Sequence, residues 1–310
     1  MRVIFMGTPD FATGTLEKIV LAGHEVVGVV TQPDKPKGRG KTLMPTPVKE
    51  VAVKYNLPVY QPKKVREPEV VELLRGLKPD VIVVAAFGQI ISKEILEMPK
   101  YGCINVHASL LPAYRGAAPI QWAVINGDKE SGVTIMQMDE GIDTGDMIEK
   151  VVVPIDKDET GGSLFEKLSQ AGAELCVKVL TDLEDGKAVR EKQPEESTTP
   201  YAKMIDKKMG AIDWEKPAKE IEQLIRGLNP WPSAYTKLQG KTLKIWKAEV
   251  LEQDSKEAPG QIAEVTKDSI AVQTGQGLLK VLELQLEGKK RMDTASFLRG
   301  YTLKEGENFR

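Results

Sequence analysis

Asn105 and His107 stand two residues apart in a run, Cys103 to Ile120, that opens as an apolar strand and ends in turn-forming residues. Alternate side chains of a strand share one face, so an amide and an imidazole at this spacing project into the same space. His107 is one of only two histidines, which makes it the first candidate for a side chain that exchanges a proton near neutral pH. Asp143 is the third candidate, in a loop where Gly141 and Gly145 allow unusual dihedrals that turn a carboxylate back toward the sheet edge. A carboxylate beside an imidazole favours the imidazolium and fixes its tautomer. On residue types alone, two plainer readings stand beside this one: a histidine tied to a backbone carbonyl, and a solvated acidic loop of Asp139, Glu140, Asp143 and Asp146.

Such a cluster needs a sheet edge to carry it. The 310 residues are 41% apolar and 28% charged, which suits a soluble chain of about two domains. Short β-branched runs at Val3 to Met6, Val26 to Val30, Val81 to Ala85 and Ile104 to His107 alternate with helical spacing at Phe11 to Ala22, Pro47 to Tyr55, Glu67 to Leu77 and 162–185. Continuous apolar strands with helical crossovers predict an α/β domain over 1–190, an open, mostly parallel Rossmann-like sheet. Ligands of such sheets bind outside the carboxyl ends of the strands, where Asn105 and His107 would lie.

Residues 193–200 are Gln, Pro, Glu, Ser and Thr, and predict a polar linker within 191–209 that crosses the surface. Beyond it come a helix at Ala218 to Gly227 and short alternating runs at Lys241 to Ala248, Gly260 to Val265, Ser269 to Gln273 and Leu278 to Leu286. These predict a smaller OB-like β-barrel over 210–310. Cys103 and Cys176 are too few for a disulfide framework and not spaced as metal ligands, which argues for a reducing cytoplasm. No apolar stretch reaches the roughly 18 to 20 residues of a membrane helix, and Pro9 and Asp10 interrupt any signal-like start. A formal net charge of -2 gives no global attraction to nucleic acid, so a polyanion would need a local basic patch.

Asn105-Val-His107, with Ser109-Leu-Leu-Pro112, Tyr114-Arg-Gly116 and Asp143 in Gly-Ile-Asp-Thr-Gly, resembles the signature of the folate-dependent formyltransferases. Gly7-Thr-Pro-Asp-Phe11, the Gln32 to Lys49 segment and Asn229-Pro-Trp-Pro232 extend the similarity, along nearly the whole chain, to the branch acting on methionyl initiator tRNA. The resemblance implies transfer of a formyl group from 10-formyltetrahydrofolate, as co-substrate, to the methionyl α-amine, with no metal and no covalent intermediate. It gives Asn105 and His107 the developing oxyanion and Asp143 the orientation of His107. It also implies that Phe87, Gly88, Gln89, Ile90, Ser109, Leu110, Leu111, Pro112, Asp139 and Gly141 line the folate pocket.

The stretch from Asp34 to Lys49 carries Lys35, Lys37, Arg39, Lys41 and Lys49 among Gly and Pro, and predicts a mobile basic loop without a packed element of its own. Beside an active site it could meet a phosphate backbone or an acceptor stem, with Arg39 reaching furthest. Phe11 either lines the methionyl pocket or packs the first helix on the sheet. Residues 210–310 hold 16 Lys plus Arg and 15 Asp plus Glu, so tRNA contacts there fall to local clusters: Lys203, Lys207 and Lys208 at the junction, and Lys289, Lys290 and Arg291 in a turn. Formylation of a small amine and hydrolysis of the formyl donor use the same three polar residues. A nicotinamide-binding module is disfavoured because Gly7-Thr-Pro-Asp-Phe lacks the Gly-x-Gly-x-x-Gly spacing. A tRNA-binding protein without catalysis is the remaining alternative.

Overall fold

A computed structural model describes residues 1–37 and 42–309, which divide into two compact units. The first comprises Met1–Pro119, Glu130–Pro154 and Phe165–Ala202. In chain order it carries β1 (Arg2–Gly7), α1 (Asp10–Leu21), β2 (Glu25–Val30), β3 (Lys35–Lys37), β4 (Thr42–Met44), α2 (Pro47–Lys54), β5 (Val59–Tyr60), α3 (Pro68–Gly76), β6 (Val81–Ala85), α4 (Lys93–Leu96) and β7 (Cys103–His107). Then follow α5 (Pro119–Ile125), which runs into the second unit, β8 (Glu130–Gln137), β9 (Met147–Pro154) and α6 (Gly161–Glu184). The seven-stranded sheet has the order β5-β2-β1-β6-β7-β8-β9. Its first five strands are parallel, as the β-branched runs predict, and β8 and β9 are antiparallel.

The helices form where their ends are chemically marked. Thr46 caps α2 by accepting the Lys49 backbone N–H at 3.1 Å, with Pro47 at the first helical position. Pro68 starts α3 in the same way. In α6, Gly172 lies against Val106 of β7 and Val133 of β8; a methyl there would fall 2.9 Å from Val106. This close approach holds β7 from the face opposite Asn105 and His107.

The basic segment departs from the sequence-based expectation of a loop with no element of its own. β3 and β4 pair as an antiparallel ribbon, Lys35 with Met44 and Pro36 with Leu43. Counter-charge is supplied by Asp34, which accepts from Lys49 Nζ at 2.7 Å and from Gln61 at 2.6 Å. Those donors, Lys49 first, hold the Asp34 carboxyl below its ordinary pKa. Arg39 and Lys41 lie outside the described residues.

The second unit comprises Ile120–Lys129, Ile155–Leu164 and the chain from Lys203. After a 3-10 turn at Lys207–Gly210 come α7 (Ala218–Gly227), β10 (Ala234–Leu238), β11 (Lys241–Leu251), β12 (Ile262–Val265), β13 (Ile270–Gln273), β14 (Leu278–Leu286), β15 (Met292–Asp293) and α8 (Thr294–Leu298). The antiparallel sheet runs β10-β11-β14-β13-β12, with β15 on β14. α7 buries Ala218, Ile221 and Ile225, one face of a helix. Ile221 and Ile225 join a core with Trp214, Leu243, Val272, Leu284 and Phe309. Among the described residues, no helix is long and apolar enough to cross a membrane.

Cys103 and Cys176 are buried free thiols, and burial pushes each up to about 12. Both stay protonated and unreactive at neutral pH. A thiol-specific chromophoric reagent is expected to titrate neither cysteine in the native protein and both after denaturation; rapid native labelling would contradict this packing.

Candidate active site

The site is built on the carboxyl end of β7. Asn105 pairs with Val84 of β6 and Met136 of β8, and His107 pairs with Thr134 of β8. Both polar side chains lie on the face opposite Val106. His107 is buried at 6% exposure, and Asn105 is half-buried. The Asn105 amide makes no hydrogen bond to another described residue, which leaves its N–H donors available.

Tyr114 holds the imidazole, its carbonyl oxygen lying 3.1 Å from His107 Nε2. A carbonyl can only accept, so Nε2 carries a proton and donates it. Nδ1 is the ring nitrogen that faces Asp143, at 3.6 Å from Oδ1. That separation exceeds a hydrogen bond and leaves both groups within reach of a third atom. The other carboxylate oxygen, Oδ2, accepts the Gly116 backbone N–H at 2.9 Å. The second histidine, His24, lies 3.4 Å from the N-terminal ammonium, and burial first, then that charge, holds its pKa below the ordinary value.

Asp143 reaches His107 because its loop folds back along β7. β8 ends at Gln137, opposite Ile104, so the loop must return three residues along β7 to meet His107. The sequence reading gave the bracketing glycines unusual dihedrals, and here the structure differs. Asp143 itself has the positive φ, +55°, and neither Gly141 nor Gly145 has one. Both glycines supply space: a methyl on Gly145 would lie 1.8 Å from the Gln137 carbonyl oxygen, and one on Gly141 2.0 Å from Thr144 Oγ1. Asp139 closes the loop, its Oδ1 accepting the Gly141 N–H at 3.0 Å and the Thr144 hydroxyl at 2.8 Å. Asp139 also lines a cleft of about 560 Å³ with Leu96, Tyr101, Gln137, Met138 and Glu140, which includes none of Asn105, His107 or Asp143.

The turn after β7 is fixed by its own hydrogen bonds. Thr134 donates to the Ser109 carbonyl at 2.7 Å and accepts from Leu111 N–H at 3.1 Å. Ser109 donates to Ala113 O at 2.6 Å, and Lys150 donates to Leu111 O at 2.7 Å. Ser109 and Leu111 are buried, Leu111 against Met136 and Met147; Leu110 lies over Gly132, and Leu111-Pro112 is cis. After β6, Phe87 packs its ring into the core, and its carbonyl accepts from Thr8 Oγ1 and Gln32 Nε2. Gly88 has φ +77° and also accepts from Gln32. Gln89 uses its amide on Val65 N–H and Pro62 O. Ile90 and Ile142 remain open, at 73% and 66% exposure.

Other sequence-predicted residues lie elsewhere. Phe11 is buried edge-to-face with Phe165, ring centroids 5.6 Å apart, and so packs α1 against α6. Lys35 is exposed at the start of β3, in the β3-β4 ribbon. Lys203, Lys207 and Lys208 are exposed at the start of the second unit's main segment. Lys289, Lys290 and Arg291 are exposed in the turn after β14; Arg291 stacks on Trp246 at 4.7 Å and pairs with Glu283.

The polar segment read as a surface linker behaves differently over 193–202. Gln193 is buried, and its Oε1 accepts both Nε and Nη2 of the buried Arg115, at 3.1 and 2.9 Å. Its Nε2 donates to Asp143 O at 2.9 Å and Gly145 O at 2.7 Å. Arg115 also donates to the Glu195 and Pro194 carbonyls. Ser197 donates to Pro112 O, Thr199 Oγ1 accepts Tyr114 N–H at 2.7 Å, and Ala202 N–H meets Arg115 O. The segment is held where the side chains of Gln193, Ser197 and Thr199 find partners, while Glu195, Glu196 and Thr198 stay exposed. Arg115, Gln193 and Thr199 were not among the expected site residues; Arg115 entered only as the middle of the Tyr114-Arg-Gly116 motif, and nothing marked Gln193 or Thr199.

Known proteins provide a further set of observations. Residues 1–180 match the family model described as "Formyl transferase", and residues 204–302 match "Formyl transferase, C-terminal domain". The chain is 62% identical to "Methionyl-tRNA formyltransferase" of Agathobacter rectalis over 100% of this chain and 99% of that protein. With the protein of the same name from Clostridioides difficile it is 52% identical, over 99% of each. Among solved structures, WlaRD, a sugar 3N-formyl transferase determined with dTDP and 5-N-formyl-THF, shares the fold with a TM-score of 0.67 at 20% identity, covering 94% of this chain and 99% of that one.

Proposed function

The chain belongs to the formyl transferase family, and we infer from that membership that it transfers a formyl group from 10-formyltetrahydrofolate to the α-amine of methionine carried by initiator tRNA. The observation that carries the reading is 62% identity, end to end, to a methionyl-tRNA formyltransferase. The product, formylmethionyl-tRNA, serves translation initiation, which takes place in the cytoplasm.

Acyl transfer to an amine places negative charge on the formyl oxygen and requires the nitrogen to shed a proton. The free amide of Asn105 and the Nδ1–H that His107 carries as an imidazolium would face the developing oxygen charge, while Nε2–H is spent on the Tyr114 carbonyl. Preorganised donors of this kind are each worth about 3 to 4 kcal/mol. The Asp143 carboxylate, with one oxygen on Gly116 N–H, keeps the other for the proton leaving the amine, directly or through water. Ile90, Ile142 and the backbone of the turns after β6 and β7 would hold the folate, which supplies the activated formyl group. The basic segment around Arg39 would meet the acceptor end of the tRNA, and the exposed lysines from Lys203 and in the turn at Lys289 its phosphates.

The deciding assay offers labelled formyl donor with charged initiator tRNA, elongator tRNA and small amines. Label appearing only on initiator methionyl-tRNA supports the reading; transfer to a small amine, or release as free formate alone, overturns it. Replacing Arg39 with Ala is expected to weaken productive tRNA binding and lower the slope of log affinity against log salt by about 1. Hydrolysis of the free formyl donor should be unchanged, and an unaltered salt slope would remove Arg39 from the tRNA contact.

A further inference from the structure

We propose that the 193–199 segment is a positioning strap for catalysis, in which Gln193 sets Asp143 and Thr199 sets His107. The inference rests on the site reading given above. Neither residue touches the space between Nδ1 and the carboxylate; each acts through one intermediary.

Asp143 sits in a left-handed backbone conformation, φ +55°, which aspartate tolerates better than most side chains but still less readily than glycine. What holds it there is the Gln193 side chain. Its two amide N–H groups reach the carbonyls of residues 143 and 145, spanning the bend, and its oxygen takes two N–H groups of Arg115. A glutamine has two donor hydrogens and two acceptor lone pairs, and all four are used in a site only 5% exposed. Arg115 is held in turn by the Pro194 and Glu195 carbonyls, and the next residue, Gly116, supplies the N–H on Asp143 Oδ2. The carboxylate is therefore oriented from its backbone by Gln193 and from its head by the residue following Arg115.

The imidazole has a parallel arrangement. His107 Nε2 is anchored on the carbonyl of Tyr114, another left-handed residue at φ +55°. The Tyr114 N–H donates to Thr199 Oγ1 at 2.7 Å, and Ser197 holds the carbonyl of Pro112 at 2.7 Å. Thus the carbonyl that holds His107 Nε2 belongs to a residue whose own N–H, in the preceding peptide, is bonded to the strap, and the strap acts on that carbonyl through the Tyr114 backbone. Nδ1 and Oδ1, 3.6 Å apart, are set from one segment. A hydroxyl at 199 and an amide at 193 are required; aliphatic side chains of similar size would leave buried peptide groups unpaired.

The test measures kcat and both KM values for Gln193→Leu, Thr199→Val and Thr199→Ser, with Gln193→Leu also made in an Asp143→Asn background and read by single turnover with excess enzyme. In the otherwise unaltered enzyme Gln193→Leu is expected to lower kcat about 10- to 100-fold with each KM within about threefold. In the Asp143→Asn background the same change should cost less than about threefold, because its route to the chemistry is already cut. Thr199→Val should lower kcat and Thr199→Ser restore it. Gln193→Glu keeps the Arg115 partner but loses both donors to the loop, and gives the same kcat loss if Gln193→Leu does not fold. Equal losses in the two backgrounds, a loss carried by KM, or failure of Thr199→Ser to rescue would overturn the strap. Full activity of Asp143→Asn alone would instead overturn the reading of the site itself.

Discussion

Replacing His107 with Ala is expected to lower turnover about 100- to 1,000-fold while changing the dissociation constants of folate and tRNA by less than about threefold. The reason is where the ring stands. It is 6% exposed on the sheet edge, one nitrogen is committed to Tyr114 O, and the other faces Asp143 at a distance too long for a mutual hydrogen bond. In the proposed reaction this nitrogen, protonated in the imidazolium, donates to an oxyanion that exists only in the transition state, and adds little to bound reactants. Alanine leaves the Tyr114 carbonyl without its donor, so a modest fall in thermal stability accompanies the kinetic loss. Loss of rate through weaker binding alone, measured by equilibrium titration with a folate analogue, would show that His107 holds substrate instead. The same truncation at Asn105 should follow the same pattern with a smaller loss of stability, since its amide has no described protein partner to orphan.

How much of this was legible in advance follows from how far apart the interacting residues stand in sequence. β1, β2, β6 and β7 are β-branched runs buried on both faces, and α7 closes on the predicted residues because Ala218, Ile221 and Ile225 make one apolar stripe. β8 and β9 carry weaker signals. Glu130–Gln137 opens on Glu-Ser-Gly, and Met147–Pro154, buried only at Met147, alternates half-buried and exposed residues at the sheet edge, where charged side chains are acceptable on one face. Asn105 and His107 were readable because a strand's two-residue period puts them together. Asp143 was a candidate from its glycine-bracketed loop, but its role beside His107 came from the resemblance to a family motif, since residue types alone also fit a solvated acidic loop. Gln193 meets Arg115 across 78 residues and Asp143 across 50, pairings that no periodicity encodes. The polar composition that suggested a surface linker was the composition needed to satisfy a turn rich in left-handed and proline-restricted backbone.

Gly145→Ala should be the most damaging single-methyl change near the site. The added carbon would lie 1.8 Å from the Gln137 carbonyl oxygen and 3.3 Å from the Asp139 backbone nitrogen, and the first of these is backbone that a side-chain rotation cannot clear. Gln137 O belongs to the last residue of β8, in register with Ile104, so the strand resists movement and the loop must give way. Relieving the contact needs a shift of more than about 1 Å, and displacements of that size at reacting groups cost about 100-fold in rate. The loop cannot move without breaking the Gln193 bonds to residues 143 and 145, so Arg115 loses part of its buried pairing as well. The expected result is a fall in kcat of about 100-fold or more, with a stability loss of about 1 to 3 kcal/mol in denaturant titration. Gly141→Ala meets side-chain atoms only, Thr144 Oγ1 at 2.0 Å, Thr144 Cβ at 3.1 Å and Asp139 Oδ1 at 3.3 Å, so turning the Thr144 hydroxyl off Asp139 relieves most of the contact and the loss should be smaller than at Gly145. Equal losses at the two positions would mean that the loop serves as a hinge through its flexibility, whereas a large loss at 145 alone identifies the close passage against β8 as what delivers Asp143 to His107.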